Sequence, residues 1–123
     1  MTARFPHRAP GVLGGPELAR LYNQATAGLV LSLTNPSLVP TEMLACGLPV
    51  VDVAGESMLA TFGANGLVAL APPEPLALAG ALEAVLDERG ARSAAGIGLA
   101  ASRTWSRAAE QVEAALRVPL PPS

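Results

Sequence analysis

Three short apolar runs, at residues 29–33, 49–53 and 67–70, alternate with longer stretches in which apolar residues recur at helical spacing. Such runs are typical of parallel strands that are covered on both faces, and the spacing between them predicts helices. Helices that alternate with strands predict right-handed crossovers in an open α/β sheet. We therefore expect a short parallel sheet with helices on both of its faces.

Helices are expected in six segments of the chain. The first has Gly14 as its cap and Pro16 as its first helical residue, and we expect Gly28 to end it. Residues 11–13 are predicted to form a very short strand before this helix. The six predicted helices cover residues 16–27, a short segment that contains Glu42, residues 57–62, a segment that opens at residues 72–75, residues 91–102 and residues 106–117.

Three of these helices carry apolar residues along one side, which predicts the face that packs against the core. The predicted apolar sides are Leu18, Leu21, Tyr22 and Ala25 in the first helix, Leu78, Leu82, Val85 and Leu86 in the fourth, and Ala108, Val112, Ala115 and Leu116 in the last.

Residues 32–51 carry the most informative chemistry. They are predicted to form a strand end, a polar loop, a short helix, a turn and a strand, with Glu42 in the first turn of the helix. A helix start at the carboxyl end of a strand offers unpaired backbone N–H groups that suit a diphosphate, and a nearby carboxylate suits sugar hydroxyls. The alternative is that Glu42 only complements the helix dipole.

The same segment resembles the C-terminal domain of the GT4-type (group 1) GT-B glycosyltransferases. In that family a loop ends in Glu-Ala-Met-Ala-Cys-Gly-x-Pro-Val-Val, and the chain has Glu42-Met43-Leu44-Ala45-Cys46-Gly47-Leu48-Pro49-Val50-Val51. The resemblance covers roughly residues 11–117. Its flanking matches are Glu17-Leu18-Ala19-Arg20-Leu21-Tyr22, Gly55-Glu56, Asn65-Gly66-Leu67-Val68 and Thr104-Trp105.

The resemblance implies a Rossmann-like, three-layer α/β/α fold that binds a nucleotide-diphosphate sugar as the donor for glycosyl transfer. The family's earlier strands, the basic residues that neutralise the diphosphate and the acceptor-binding domain have no counterpart here. We therefore expect a partial domain at residues 11–117, between an irregular leader at 1–10 and a Pro-rich tail at 118–123. Activity would require the missing acceptor-binding domain or a partner chain, and the isolated chain is expected to be inactive.

Glu42 is expected to bind the ribose hydroxyls, and backbone N–H groups of Leu38, Val39 and Thr41 are candidates for the diphosphate. The family has a second glutamate where this chain has Thr34, which cannot supply the negative charge, so no catalytic residue is predicted. The predicted donor-binding residues are Thr34, Asn35, Ser37, Leu38, Val39, Thr41 and Glu42. Turn and cap formation is the alternative for Asn35, Ser37 and Thr41.

Four further residues are assigned by their surroundings in the chain. Glu56, which follows the second strand, is expected to support the site indirectly, and Asp52 is expected either to face the ligand crevice or to cap a turn. Trp105 resembles the aromatic residue that anchors the last helix, so we expect it in the core. Cys46, the single cysteine, is expected to pack as a small hydrophobe.

Composition excludes several classes of function. The net charge is −2, and the eight arginines are scattered, so a nucleic-acid-binding surface is not expected. A single cysteine and the isolated His7 predict no metal site, and His7 is expected to be solvated. No apolar run approaches the roughly 20 residues of a membrane span, so we expect a cytoplasmic protein. The family adds the possibility of peripheral contact with the inner membrane face.

Three hypotheses follow from the residues and the resemblance. The chain is the donor-binding part of a glycosyltransferase, or a non-catalytic module that binds nucleotide-sugars, or an inactive remnant of such an enzyme. The first two share a donor site around Glu42 and differ in whether Thr34 is compatible with transfer.

Overall fold

The computed structural model describes residues 3–119, and residues 1–2 and 120–123, which belong to the predicted leader and tail, lie outside it. The described residues form a three-stranded parallel sheet and six helices, so the α/β prediction is confirmed and the architecture is compatible with a Rossmann-like fold. The elements are α1 (Gly15–Gln24), β1 (Gly28–Val30), α2 (Val39–Ala45), β2 (Val50–Val53), α3 (Glu56–Phe62), β3 (Val68–Ala71), α4 (Pro75–Asp87), α5 (Arg89–Ser102) and α6 (Trp105–Leu116).

The sheet has the strand order β1-β2-β3, with both pairs parallel. Val51 of the central strand is in register with Leu29 on β1 and with Ala69 on β3. All four residues of β2 are buried, as expected for a parallel strand covered on both faces. β2 is therefore the centre of the fold.

The main apolar cluster lies on one face of the sheet, where Val50 and Val68 contact Leu44 of α2 and Met58 and Phe62 of α3. On the opposite side of the pleat Val51 and Val53 are also buried. α4 packs on β2 and β3, and its fully buried Val85 lies outside the main cluster. Helices therefore cover both faces of the central strand.

α5 packs closely on α2, and a glycine makes the contact possible. A Cβ atom on Gly96 would lie 2.9 Å from Cδ2 of Leu44, which is closer than two carbon atoms can approach. The glycine inside the predicted helix 91–102 therefore marks a helix contact, and α5 runs unbroken from Arg89 to Ser102.

β1 is shorter than the apolar run that predicted it. The strand ends at Val30, and the backbone N–H of Ser32 donates to the carboxylate of Asp52 at 2.8 Å. Leu31 and Leu33, which were predicted to lie in the strand, are 57 % and 76 % exposed. The prediction for residues 29–33 is wrong at its end because a side chain from β2 takes the N–H group of Ser32.

Gly28 does not end α1. The helix stops at Gln24, Ala25 adopts an extended conformation, and Gly28 is the first residue of β1. A Cβ atom on Gly28 would lie 2.5 Å from Sδ of Met43, so this position has no room for a side chain beneath α2. The predicted strand at residues 11–13 is also wrong, because this segment has no strand structure and Val12 is fully exposed.

The predicted apolar sides are buried to very different extents. In α4 Val85 is fully buried, whereas Leu86 is 41 % exposed, and α1 contains no buried residue. Every residue of α6 is exposed, including its whole predicted apolar side. Trp105, expected in the core, is 81 % exposed. Spacing predicts which residues share a helix face, but it does not predict whether a surface lies against that face.

Candidate functional site

The loop from β1 to α2 is held at its start by a buried carboxylate. Asp52 is 0 % exposed and accepts three hydrogen bonds, from the N–H of Ser32 at 2.8 Å, the hydroxyl of Ser32 at 2.7 Å and the N–H of Val53 at 2.7 Å. A buried charge is tolerated when it is hydrogen-bonded in this way. The role of Asp52 is therefore structural, but its main partner is Ser32 at the start of the β1–α2 loop and not the turn after β2, so the predicted turn cap is not what forms.

A second contact holds the middle of this loop. The hydroxyl of Ser57 on α3 donates to the backbone carbonyl of Thr34 at 3.3 Å. The side chain of Thr34 is exposed. The loop is thus attached to both β2 and α3 before it enters α2.

α2 begins at Val39, with Pro40 in its first turn and fully buried. The N–H of Glu42 donates to the carbonyl of Leu38 at 3.0 Å, which fixes Glu42 in the first turn as predicted. The carboxylate of Glu42 is exposed, and within residues 3–119 it has no hydrogen bond or ion pair. It is therefore available to a ligand.

A cavity of about 470 Å³ lies beside Glu42. Its walls come from the loop before α2, the start of α2, the end of α3, the junction between α5 and α6, and the first turns of α6. The lining residues are Pro36, Ser37, Leu38, Thr41, Glu42, Thr61, Phe62, Ser102, Arg103, Thr104, Trp105, Arg107, Ala108 and Gln111.

Arg103 is held at the wall of this cavity by two contacts. Its guanidinium carbon lies 4.8 Å from the centre of the Phe62 ring, a cation–π geometry, and Nη2 donates to the carbonyl of Thr61 at 3.1 Å. Because Phe62 belongs to the main apolar cluster, the core itself supports the guanidinium.

The first turn of α6 contributes Trp105 and Arg107. The hydroxyl of Thr104 accepts a hydrogen bond from the N–H of Arg107 at 3.2 Å, which caps the helix and fixes its start. The indole of Trp105 is largely exposed and also lines the cavity. Residues 103–107 therefore form one short, cationic and aromatic wall.

The charges in this cavity are not neutralised by neighbouring side chains. The ion pairs between residues 3–119 involve Arg20, Arg92 and Arg117, each with a glutamate three or four residues earlier in the chain. Neither Arg103, Arg107 nor Glu42 takes part in an ion pair there. One cavity thus combines two guanidinium groups and a carboxylate that lack charged partners in the described part of the chain.

The pKa of Tyr22 on α1 is affected by the charge of Glu42. Burial raises the pKa of Tyr22 above its ordinary value of 10.0, and the negative charges of Glu42 and then Cys46 raise it further. Tyr22 therefore lies close enough to Glu42 for the charge of the carboxylate to affect its ionisation.

The seven predicted donor-binding residues divide into two groups. Ser37, Leu38, Thr41 and Glu42 line the cavity, whereas Thr34, Asn35 and Val39 do not. Glu56, which was predicted to support the site indirectly, does not line the cavity either. Glu56 is exposed in the first turn of α3. The roles of all eight residues stay predictions.

Arg103, Arg107 and Trp105 were missed as site residues. The arginines were interpreted as scattered, and the tryptophan as a core residue. Nothing in the local pattern indicates that residues 103–107 approach residues 37–42, because the contact depends on how α5 crosses α2. The one local signal is that Arg103 and Arg107 flank Thr104-Trp105-Ser106.

A second cavity, of about 620 Å³, lies between residues 8–10 and α1. Glu17 and Arg20 of α1 line this cavity and form an ion pair at 3.4 Å. Arg8 also lines it and has no ion pair within residues 3–119. Among the described residues, this cavity thus has one charged side chain without a charged partner, whereas the cavity beside Glu42 has three.

The described residues also bear on membrane spanning and on metal binding. No helix within residues 3–119 is long and apolar enough to cross a membrane. The same residues contain no group of three or more histidine, cysteine, aspartate or glutamate side chains that could hold a metal ion. Cys46 is half-buried, and His7 is exposed, with Nδ1 3.1 Å from the carbonyl of Phe5.

Comparison with known proteins identifies no relative of the chain. No protein-family model matches the chain, and searches of curated proteins and of solved structures find no significant similarity. The chain is thus defined by its own features, an α/β domain with a charged cavity beside the β1–α2 loop.

Proposed function

We propose that the chain binds the nucleotide-diphosphate sugar of a GT4-like glycosyltransferase, as the donor-binding part of an enzyme that transfers a glycosyl group to an acceptor. The acceptor-binding part would come from another segment or a partner chain. The proposal rests on one cavity. Glu42, the residue that matches the family motif, lines this cavity together with two arginines and an exposed tryptophan.

The chemistry of this cavity suits such a donor. A carboxylate accepts hydrogen bonds from the hydroxyls of ribose, guanidinium groups favour the negative charge of a diphosphate, and an indole face suits a base. The volume of about 470 Å³ lies within the usual range of roughly 300–1,000 Å³ for small-molecule sites. Glu42 is also held in place, because its loop is attached through Asp52 and Ser57.

A non-catalytic module is the second candidate, and Thr34 favours it. Threonine replaces the second carboxylate of the family, and its side chain does not line the cavity. This module would bind the nucleotide-sugar without transferring the sugar. The two candidates differ in one measurement, which is sugar release from the bound donor after the acceptor-binding part is supplied.

A thermal-shift titration with UDP, GDP, ADP and dTDP tests donor binding. A ligand that binds only the folded state stabilises it by about 2.7 kcal/mol at a concentration of 100 times Kd. Glu42→Gln is expected to weaken binding of the preferred nucleotide by about 1–3 kcal/mol, the range for a hydrogen bond to a charged group. Its unfolding without ligand should match the wild type, because the side chain is exposed.

Glu83→Gln is the matched control. Glu83 is an exposed glutamate on α4 and, unlike Glu42, it does not line the cavity. Nucleotide binding should survive this substitution. Equal binding by wild type and Glu42→Gln would refute the role of Glu42.

A further inference from the structure

We propose that the α5–α6 junction forms a phosphate-binding subsite, in which Arg103 and Arg107 bind the diphosphate of a nucleotide whose ribose contacts Glu42. The identity of the ligand as a nucleoside diphosphate rests on the proposed function. The anion site itself rests on the two arginines and on the cavity that they line.

Arg103 is preorganised to bind an anion. A guanidinium has five N–H donors in a rigid plane that matches the oxygens of a phosphate. In Arg103 one nitrogen donates to Thr61, and stacking on Phe62 fixes the plane of the group. The structure shows no further hydrogen bond from this guanidinium within residues 3–119, so the remaining N–H groups are available to a ligand.

Arg107 brings a second positive charge to the same cavity. Its backbone is held by the Thr104 cap, and its guanidinium has no ion pair in the described part of the chain. Two like charges that line one cavity repel each other, and an anion bound between them removes this cost. The two arginines therefore favour a phosphate more strongly than either would alone.

Glu42 determines the direction in which the ligand binds. Its carboxylate lines the same cavity and repels phosphate oxygens, while it accepts hydrogen bonds from hydroxyls. A nucleotide consequently binds with its ribose towards α2 and its phosphates towards the start of α6.

Isothermal titration calorimetry of the full chain measures separately how tightly the nucleoside end and the phosphate end of the ligand bind. Wild type and Arg107→Gln are titrated with UDP, GDP, ADP and dTDP, with the corresponding nucleosides, and with inorganic pyrophosphate. Arg107→Gln should bind the preferred diphosphate about tenfold more weakly or worse, because it loses a charge-assisted hydrogen bond. Its affinity for the nucleoside should equal that of the wild type.

Three variants complete the design. Arg107→Lys keeps the charge without the planar fork, so its affinity for the diphosphate should lie between those of wild type and Arg107→Gln. Arg89→Gln removes an exposed arginine outside the cavity and should bind like the wild type. Glu42→Gln should bind the nucleoside more weakly and pyrophosphate at least as tightly as the wild type does, because it removes a carboxylate that repels phosphate oxygens.

The outcomes distinguish this subsite from the proposed function. Equal diphosphate affinity in wild type and Arg107→Gln, with binding reduced in Glu42→Gln, would overturn the subsite and leave the proposed function standing. Failure of all four diphosphates to bind would overturn the proposed function. Pyrophosphate binding that is lost in Arg107→Gln would in that case still support the anion site, whereas no binding of pyrophosphate would overturn it too.

Discussion

Two carboxylates close to the β1–α2 loop have opposite environments. Asp52 is fully buried and its carboxylate accepts three hydrogen bonds, whereas the carboxylate of Glu42 is exposed and has no hydrogen-bonding partner within residues 3–119. The same contrast separates the core around β2, where the buried polar side chains are satisfied, from the cavity, where Arg103 and Arg107 form no ion pair with any described residue. Charges that the fold satisfies internally stabilise it, and charges left unpaired in a cavity are the candidates for ligand binding.

The largest effect is expected at the buried carboxylate. Asp52→Ala should lower the free energy of unfolding by about 3 kcal/mol or more, because it removes the acceptor of three hydrogen bonds and leaves buried donors unsatisfied. Denaturant unfolding measures the change. The Asp52→Ala substitution should also weaken nucleotide binding, since the loop before Glu42 loses its attachment.

Asp87→Ala is the control for this substitution. Asp87 is an exposed aspartate at the end of α4, so its replacement should change stability by no more than about 0.5 kcal/mol. A loss of the same size for both aspartates would contradict the structural role of Asp52.

A pair of glycines on α5 tests the packing of the core. Gly96→Ala should destabilise the protein by about 1–3 kcal/mol, because the added methyl group collides with Leu44. Gly98→Ala should stabilise it by about 0.5–1 kcal/mol, since the new Cβ would have no contact within 4 Å beyond the local backbone of α5 among residues 3–119, and alanine is the better helix former. Equal unfolding midpoints for the two variants would show that α5 does not pack on α2 in this way.

The smallest effect is a pH dependence that links Tyr22 to Glu42. The pKa of Tyr22 is raised in the folded state, so the folded protein holds the phenolic proton more tightly than the unfolded chain does. Stability from this group is therefore complete below the ordinary value of 10.0 and is lost as the pH rises from there through the folded pKa. Tyr22→Phe should abolish this alkaline loss.

The single tyrosine allows a direct titration of the same contact. Ultraviolet absorbance of tyrosinate reports the ionisation of Tyr22. Glu42→Gln should lower the pKa of Tyr22, because it removes a negative charge that disfavours tyrosinate, and Glu83→Gln should leave it unchanged. An unaltered titration in Glu42→Gln would mean that the carboxylate does not lie near the phenol.

Local pattern was sufficient for most of the secondary structure and insufficient for the contacts between elements. The strands β2 and β3 and the helices α3 to α6 were predicted within a few residues, because apolar runs and helical spacing are local signals. The end of β1 depends on Asp52, which lies 20 residues from Ser32, and the role of Gly28 depends on Met43. Neither contact can be predicted from neighbouring residues.

The candidate site was likewise predicted only where local sequence specifies it. Ser37, Leu38, Thr41 and Glu42 were predicted from the motif and line one cavity, but the opposite charges came from residues 103–107, far along the chain. The exposure of Trp105 also depends on packing, because the main cluster contains no contribution from α6. An aromatic residue at a helix start is consistent with a core position and with an exposed one, and only the arrangement of α5 distinguishes the two.

Because Trp105 is the only tryptophan of the chain and lines the cavity, its fluorescence reports on ligand binding there. If the cavity binds a nucleotide, the emission should change in a saturable way with at least one of UDP, GDP, ADP and dTDP. This change should weaken in Glu42→Gln and persist in Glu83→Gln. No change with any of the four, from a chain that unfolds cooperatively, would contradict the proposal that this cavity binds a nucleotide.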